Sequence, residues 1–200
     1  MRQRSADVST RKNLRVRRTH KLLRDAVIEL TEERGFDTLT VGEIAERAMV
    51  SRAAFYRNYR DKYDLVEQIF TEALRDLFDT VPEPGAEHPP QIWAGFFEHI
   101  AKYERLYRAL LGRRGSPWFV LKMRSALVDL LGKRLPVWRG AAGRTASSAS
   151  DEFTSDLLAT LFVEAITWWL ERGRPCTAQE MAKRCALLAT VILRETSTWQ

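Results

Sequence analysis

The residues of this chain best suited to chemistry are its arginines. Residues 1 to 24 hold Arg2, Arg4, Arg11, Lys12, Arg15, Arg17, Arg18, Lys21 and Arg24 against Asp7 alone, so this stretch carries +8 in a chain of net charge +6, leaving the rest at −2. A concentrated positive field on a slightly acidic body suits a polyanion bound at one end of the molecule; DNA is the first such partner and an anionic membrane the competitor. Further on, Arg52, Tyr56, Arg57 and Asn58 mark the polar face of a short segment, Arg52 to Tyr59. A guanidinium fork donates in parallel to two acceptors, such as guanine O6 and N7 or two phosphate oxygens. The chemistry on offer is recognition of a duplex, not bond making.

Other chemistries lack their residues. No GxSxG or GxxxxGKS/T motif occurs, and His20, His88 and His99 are far apart with no HxxxH or HxxE pairing, so each is expected to be a surface or capping histidine. Cys176 and Cys185 lack CxxC spacing and a neighbouring histidine; they are expected to be reduced thiols with a packing role. No catalytic residue, metal or cofactor is expected, and an all-helical enzyme is the weaker alternative. The longest apolar stretch, Leu157 to Leu170, is too short to span a bilayer and contains Glu164. Residues 5 to 20 are polar and charged where a secretory signal needs an apolar region, so the expected location is the cytoplasm.

The elements that must position these arginines are helices. Leu23, Ala26, Val27 and Leu30 follow i, i+3, i+4, i+7 spacing, and Gly35 is a left-handed stop after Arg34. Thr40-Val41-Gly42-Glu43 is a capping box that opens a second helix with Val41, Ile44, Ala45 and Ala48 on one face. Met49 and Val50 form a short turn, Ser51 is the N-cap of a third helix ending near Tyr59, and Asp61 caps a fourth bearing Leu65, Val66, Ile69, Leu74 and Leu77.

Val81 to Pro90 reads as a linker. Beyond it, one helix carries Ile92, Phe96, Phe97 and Ile100, and a shorter one, Leu106 to Leu111, is ended by Gly112. Ser116-Pro117 opens a helix to about Leu135, Gly140 to Ser150 is a loop, and two hydrophobic helices follow over Asp151 to Glu171 and Ala178 to Glu195. Thr177-Ala178-Gln179-Glu180 is a second capping box. With no alternating strand pattern, the fold is expected to be all-α with about nine helices. The expected parts are a basic arm over 1–17, a three-helix unit over 18–62 and a larger helical body over 63–200.

Between Arg18 and Phe70 the chain resembles the TetR/AcrR (tetracycline-repressor) family of bacterial regulators. The resemblance rests on the basic lead-in, Ala26 with Leu30, Arg34-Gly35-Phe36, Thr40-Val41, Ile44-Ala45, Ala48, Val50-Ser51, Phe55-Tyr56, Tyr59, Lys62 and Leu65. Tyr107-Arg108-Ala109-Leu110-Leu111 and Trp168-Trp169-Leu170-Glu171-Arg172-Gly173 are similar, more loosely, to one C-terminal subgroup of that family.

The resemblance implies that residues 40 to 59 are a helix-turn-helix starting at Thr40, with Ser51 capping the reading helix and Arg52, Ala53, Arg57 and Asn58 facing a major groove. It implies phosphate contacts from Tyr56 and Lys62, core positions for Phe55 and Tyr59, and an arm through Arg15, Arg17 and Arg18 along a minor groove or the backbone. The implied function is a dimeric repressor released from double-stranded DNA, a pseudo-palindromic operator, by a small-molecule ligand. The same fold acting without such a ligand is the alternative. Two residues depart from the family pattern: Met49 stands where glycine is usual, costing up to about 1 kcal/mol if the backbone is left-handed, and Asn58 stands where histidine is frequent.

The C-terminal body is rich in aromatics, including Trp93, Phe96, Phe97, Tyr103, Tyr107, Trp118, Phe119, Trp138, Phe153, Phe162, Trp168 and Trp169. At helical spacing most of these belong to a core. In the resembled family the region encloses an inducer pocket, which makes Trp93, Phe97, Tyr103, Tyr107, Trp118 and Phe162 its candidate walls and Glu98, Tyr103 and Glu164 its candidate polar groups, suited to an apolar or aromatic effector. Phe162, Ile166, Trp169, Leu187, Leu188 and Val191 form an apolar surface on the last two helices, expected to pair with a second copy as a two-fold four-helix interface.

Overall fold

The computed structural model describes residues 2–80, 89–141, 148–196 and 198, and among these residues every regular element is a helix. The helices are α1 (Arg2–Arg34), α2 (Val41–Arg47), α3 (Arg52–Tyr56), α4 (Lys62–Thr80), α5 (Pro89–Lys102), α6 (Glu104–Leu111), α7 (Pro117–Ala141), α8 (Ser148–Glu171) and α9 (Ala178–Thr196). The Val81 to Pro90 linker and the Gly140 to Ser150 loop fall mostly outside the described residues, as do His88 and the side chains of Arg15 and Trp138.

The chain divides into two compact units, Met1–Glu72 and Ala73–Gln200. The division therefore falls inside α4 and not at 62/63. The first half of that helix carries Leu65, Val66, Ile69 and Phe70, all buried, so it belongs to the first unit's core. Residues 2–17 of the expected basic arm form the first turns of α1. No glycine or proline occurs before Gly35, so nothing in the sequence interrupts the helix where the basic run meets the buried stripe. That stripe is Leu23, Ala26, Val27 and Leu30, each at most 2% exposed. Gly35, at φ 86°, then ends the helix with its N–H on the Thr31 carbonyl.

In the second unit α5 packs along α9, while α6 and α7 pack on α8. Large rings fill the space between these helices. The Trp93 indole stacks on Phe162 with centroids 4.0 Å apart, and Phe97 meets Trp169 edge-on at 5.6 Å. All four rings are buried, and burying each such side chain stabilises the unit by roughly 1.5–3 kcal/mol. α7 continues past Pro136, where the sequence suggested an end near Leu135, and stops only at the Gly/Ala/Ser segment. A proline removes one helical N–H but leaves the later ladder free to resume.

Candidate nucleic-acid interface

α2 and α3 are held by local chemistry before any tertiary contact acts. The Thr40 hydroxyl accepts from the Glu43 N–H, while the Glu43 carboxylate accepts from the Thr40 N–H at 2.9 Å and from its hydroxyl at 2.8 Å. These bonds, chiefly that from the Thr40 N–H, hold the Glu43 carboxyl below the ordinary carboxylate range. α2 then closes with the Val50 N–H on the Ala45 carbonyl and Met49 at φ 53°. This is the left-handed stop that glycine usually fills. Met49 keeps it with its side chain 87% exposed, so no packing offsets the backbone strain. Ser51 caps α3 by accepting from the Ala54 N–H.

α3 is shorter than expected, ending at Tyr56 with Arg57 as C-cap, although the Tyr59 N–H still reaches the Phe55 carbonyl. Phe55 on its inner side and Tyr59 in the loop just after it lie in the core, as the resemblance implied. The Tyr59 hydroxyl lies 2.9 Å from His20 Nδ1, and burial pushes that phenol up to about 12. His20 is therefore not a surface or capping histidine; it fastens the loop after α3 to α1. Outward lie Ser51, Arg52, Ala53, Tyr56 and Arg57, followed by Arg60, an exposed cation that the sequence reading did not single out. The signal for Arg60 was its place one turn beyond Arg57.

Ion pairing separates the arginines of this unit into two groups. Arg47 is held by Glu33 at 2.8 Å and Glu29 at 3.4 Å, Arg34 by Glu43 at 2.9 Å and Arg24 by Glu72 at 2.6 Å, while Arg60, itself largely exposed, reaches Asp64 at 3.6 Å. Among the described residues Arg52 and Arg57 have no carboxylate partner, and Arg17 and Arg18 are exposed on α1. Two residues given DNA contacts by resemblance have other engagements. Lys62 Nζ donates to the Phe36 and Asp37 carbonyls at 2.9 and 2.8 Å and sits over the Phe36 ring, with burial lowering its pKa. Asn58 turns its amide back onto the Ala54 carbonyl at 2.7 Å and is half-buried. Lys62 is a clasp on the α1–α2 loop and Asn58 a stitch at the end of α3.

In the second unit the candidate pocket residues divide. Trp93, Phe97, Tyr107 and Phe162 are buried, whereas Tyr103 and Trp118 are half-buried. Glu98 and Glu164 are exposed, so neither supplies a polar group to the interior. The interior polar pair is instead His99 and Tyr107: His99 Nε2 lies 2.9 Å from the Tyr107 hydroxyl and both residues are buried, so His99 too is not a surface histidine. Among the cavities bordered by described residues, one of about 480 Å³ lies at the α8–α9 corner, by Trp169, Arg174 and Cys176. Cys185 is buried and its thiol pushed up to about 11; Cys176 is half-exposed, 3.9 Å from Arg184 Nη1.

The candidate interface residues divide as well. Leu187, Leu188 and Val191 are exposed on α9. Phe162, Ile166 and Trp169 instead lie in the protomer's own core, because that face of α8 is covered by its neighbours. The exposed apolar residues of α8 are Phe153, Leu157 and Trp168, spaced by helical turns with Glu164 among them. No helix among the described residues is long and apolar enough to cross a membrane.

Comparison with known proteins accords with this architecture. Residues 23–69 match the family described as bacterial regulatory proteins, tetR family, and residues 87–190 match a transcriptional regulator C-terminal region. Two HTH-type transcriptional regulators of Bacillus subtilis are similar: YdeS, 38% identical over 34% of each chain, and YvkB, 39% identical over 28% of this chain and 30% of its own. The matched part thus spans about a third of these relatives' length. Among solved structures, a TetR transcriptional regulator from Streptococcus agalactiae aligns with a TM-score of 0.66 at 22% identity, covering 90% of this chain and 98% of that one. FadR of Thermus thermophilus, a TetR-family repressor in complex with lauroyl-CoA, aligns at 0.54 and 21% identity over 86% of this chain and 93% of that one. The tetR-type helix-turn-helix that opens the chain and the regulator C-terminal region that fills most of the rest make it a member of the TetR family.

Proposed function

We propose that this protein is a sequence-specific transcriptional regulator that binds a pseudo-palindromic DNA operator as a homodimer and acts as a repressor in the cytoplasm. The observation that carries the reading is the outer side of α3. Arg52 and Arg57 are exposed and unpaired there, on a helix capped by Ser51 and anchored through Phe55 and Tyr59, while the arginines behind them are neutralised by glutamates. Arg52, Ala53 and Arg57 read base edges. Tyr56, Arg60, Arg17 and Arg18 contact phosphates, which set register without specifying sequence.

The basic first half of α1 is a helix, about 10–12 Å across with its side chains, so it lies along phosphates and does not enter a minor groove about 6 Å wide. Dimerisation places the exposed Phe153, Leu157, Trp168, Leu187, Leu188 and Val191 against the same face of a second copy. Two reading helices then meet two half-sites.

Release follows if a small apolar or aromatic molecule binds better to a conformation whose reading helices are misplaced for the operator. α4 is the element that carries the change, because it begins at the Lys62 clasp and continues across the 72/73 division. The acyl-CoA held by a neighbour of the same fold supports an apolar effector. A regulator with no small-molecule ligand is the second reading, favoured by the Trp93–Phe162 stack at 4.0 Å, which leaves no room between those two rings.

Selection of bound fragments from random duplex DNA tests the proposal. A two-fold symmetric motif is the expected result, and recovery of unrelated sequences with equal affinity contradicts it.

A further inference from the structure

Gly42, in the first turn of α2, has no backbone reason to be glycine: its φ is not in the left-handed region, and glycine disfavours a helix relative to alanine. The reason is spatial. A Cβ built at residue 42 would stand 2.5 Å from Nη2, 3.0 Å from Cζ and 3.1 Å from Nε of Arg52. The guanidinium of the first residue of α3 therefore rests on the bare backbone of α2, in the space a methyl group would fill. Resting on the DNA-binding reading above, we infer that Gly42 is a positioning residue for Arg52, a seat that holds the guanidinium in one pose while its charge stays unpaired.

The seat matters because arginine is long and exposed. An unsupported side chain gives up several rotamers when it binds, whereas one already held against a rigid helix gives up fewer. The Gly42–Arg52 contact also sets the direction of the guanidinium relative to α3, and bidentate recognition of a base depends on that direction. A methyl group at residue 42 takes the seat. What yields is the far end of a flexible side chain, not the backbone of α2, so the domain keeps its fold while Arg52 moves.

The test is a double-mutant cycle on the full-length protein, with the duplex recovered by selection as the probe. Gly42→Ala is expected to hold or raise the unfolding midpoint, since alanine is the better helix former, yet weaken operator binding about tenfold, the scale of one displaced bidentate contact. In the Arg52→Ala background the same change is expected to have no further effect. Repeated selection should show Gly42→Ala and Arg52→Ala broadening the motif at the same base position.

Unchanged binding by Gly42→Ala overturns the inference, as does an equal loss in the Arg52→Ala background. If Gly42→Ala unfolds, a double variant that regains the fold supports the contact and one that also unfolds overturns the inference. Failure of the wild-type protein to select any motif counts against the DNA reading itself, a result distinct from all of these.

Discussion

The two units leave opposite things unpaired on their surfaces. In the first, most apolar side chains among the described residues turn inward, and the outer side of α3 shows unpaired cations while Arg34 of α1 and Arg47 of α2 are neutralised by glutamates. In the second, the interior holds Trp93, Phe97, Phe162 and Trp169, yet α8 and α9 still expose Phe153, Leu157, Trp168, Leu187, Leu188 and Val191. An uncompensated charge asks for a polyanion, and an uncovered apolar stripe asks for another apolar surface. On the function proposed above, the difference between the units matches a different partner to each: duplex DNA to the first and a second copy to the second.

The largest effect should come from the outer face of α9. Leu188→Glu with Val191→Glu is expected to give monomers by sedimentation and to weaken operator binding by about a hundredfold or more, since linked half-site binding is lost. Retention of a dimer would break the comparison at its second half. Phe162→Ala lies on the same pair of helices but faces inward. It should lower stability by roughly 3–5 kcal/mol in urea unfolding, and a neutral result would return Phe162 to the outer face.

Those two substitutions separate what the sequence could not. α8 is apolar on more than one side, so its periodicity does not say which apolar side is covered by its own neighbours; Phe162, Ile166 and Trp169 were indistinguishable in type from Phe153, Leu157 and Trp168. Local signals fared better. The capping boxes at Thr40–Glu43 and Thr177–Glu180, the Ser51 cap and the Gly35 stop all form as read, because their partners lie within a few residues. The roles that escaped depend on distant partners. His20 meets Tyr59 from 39 residues away, and Lys62 finds carbonyls 25 and 26 residues back. Gly42 entered the sequence reading only as a member of the Thr40–Glu43 capping box, because its nearness to Arg52, ten residues on, exists only in the fold.

Within the first unit the comparison can be sharpened by separating reading from positioning. Arg57→Ala should relax preference at particular operator positions and cost roughly 1–3 kcal/mol if its contact is bidentate. Tyr56→Phe should lower affinity evenly across sequences with the preferred site unchanged. Even losses from both would erase the division. The smallest effect belongs to Met49, strained at φ 53° with no compensating burial. Met49→Gly should stabilise the protein by a few tenths to about 1 kcal/mol, because relief of strain exceeds the entropy glycine adds to the unfolded chain. A lower urea midpoint would show that the exposed side chain has a packing role.

That exposed cations of the first unit bind phosphates while α3 reads sequence is tested most directly by salt dependence measured on two duplexes. Affinity for the selected operator and for a shuffled duplex of equal length would be followed as salt is raised. Both should weaken steeply, each phosphate contact adding about 0.9 to the slope of log K against log salt. The operator should remain the tighter ligand throughout, and removal of residues 1–15 should lower both slopes alike. A flat response, or equal affinity for the two duplexes at every salt concentration, would contradict the account.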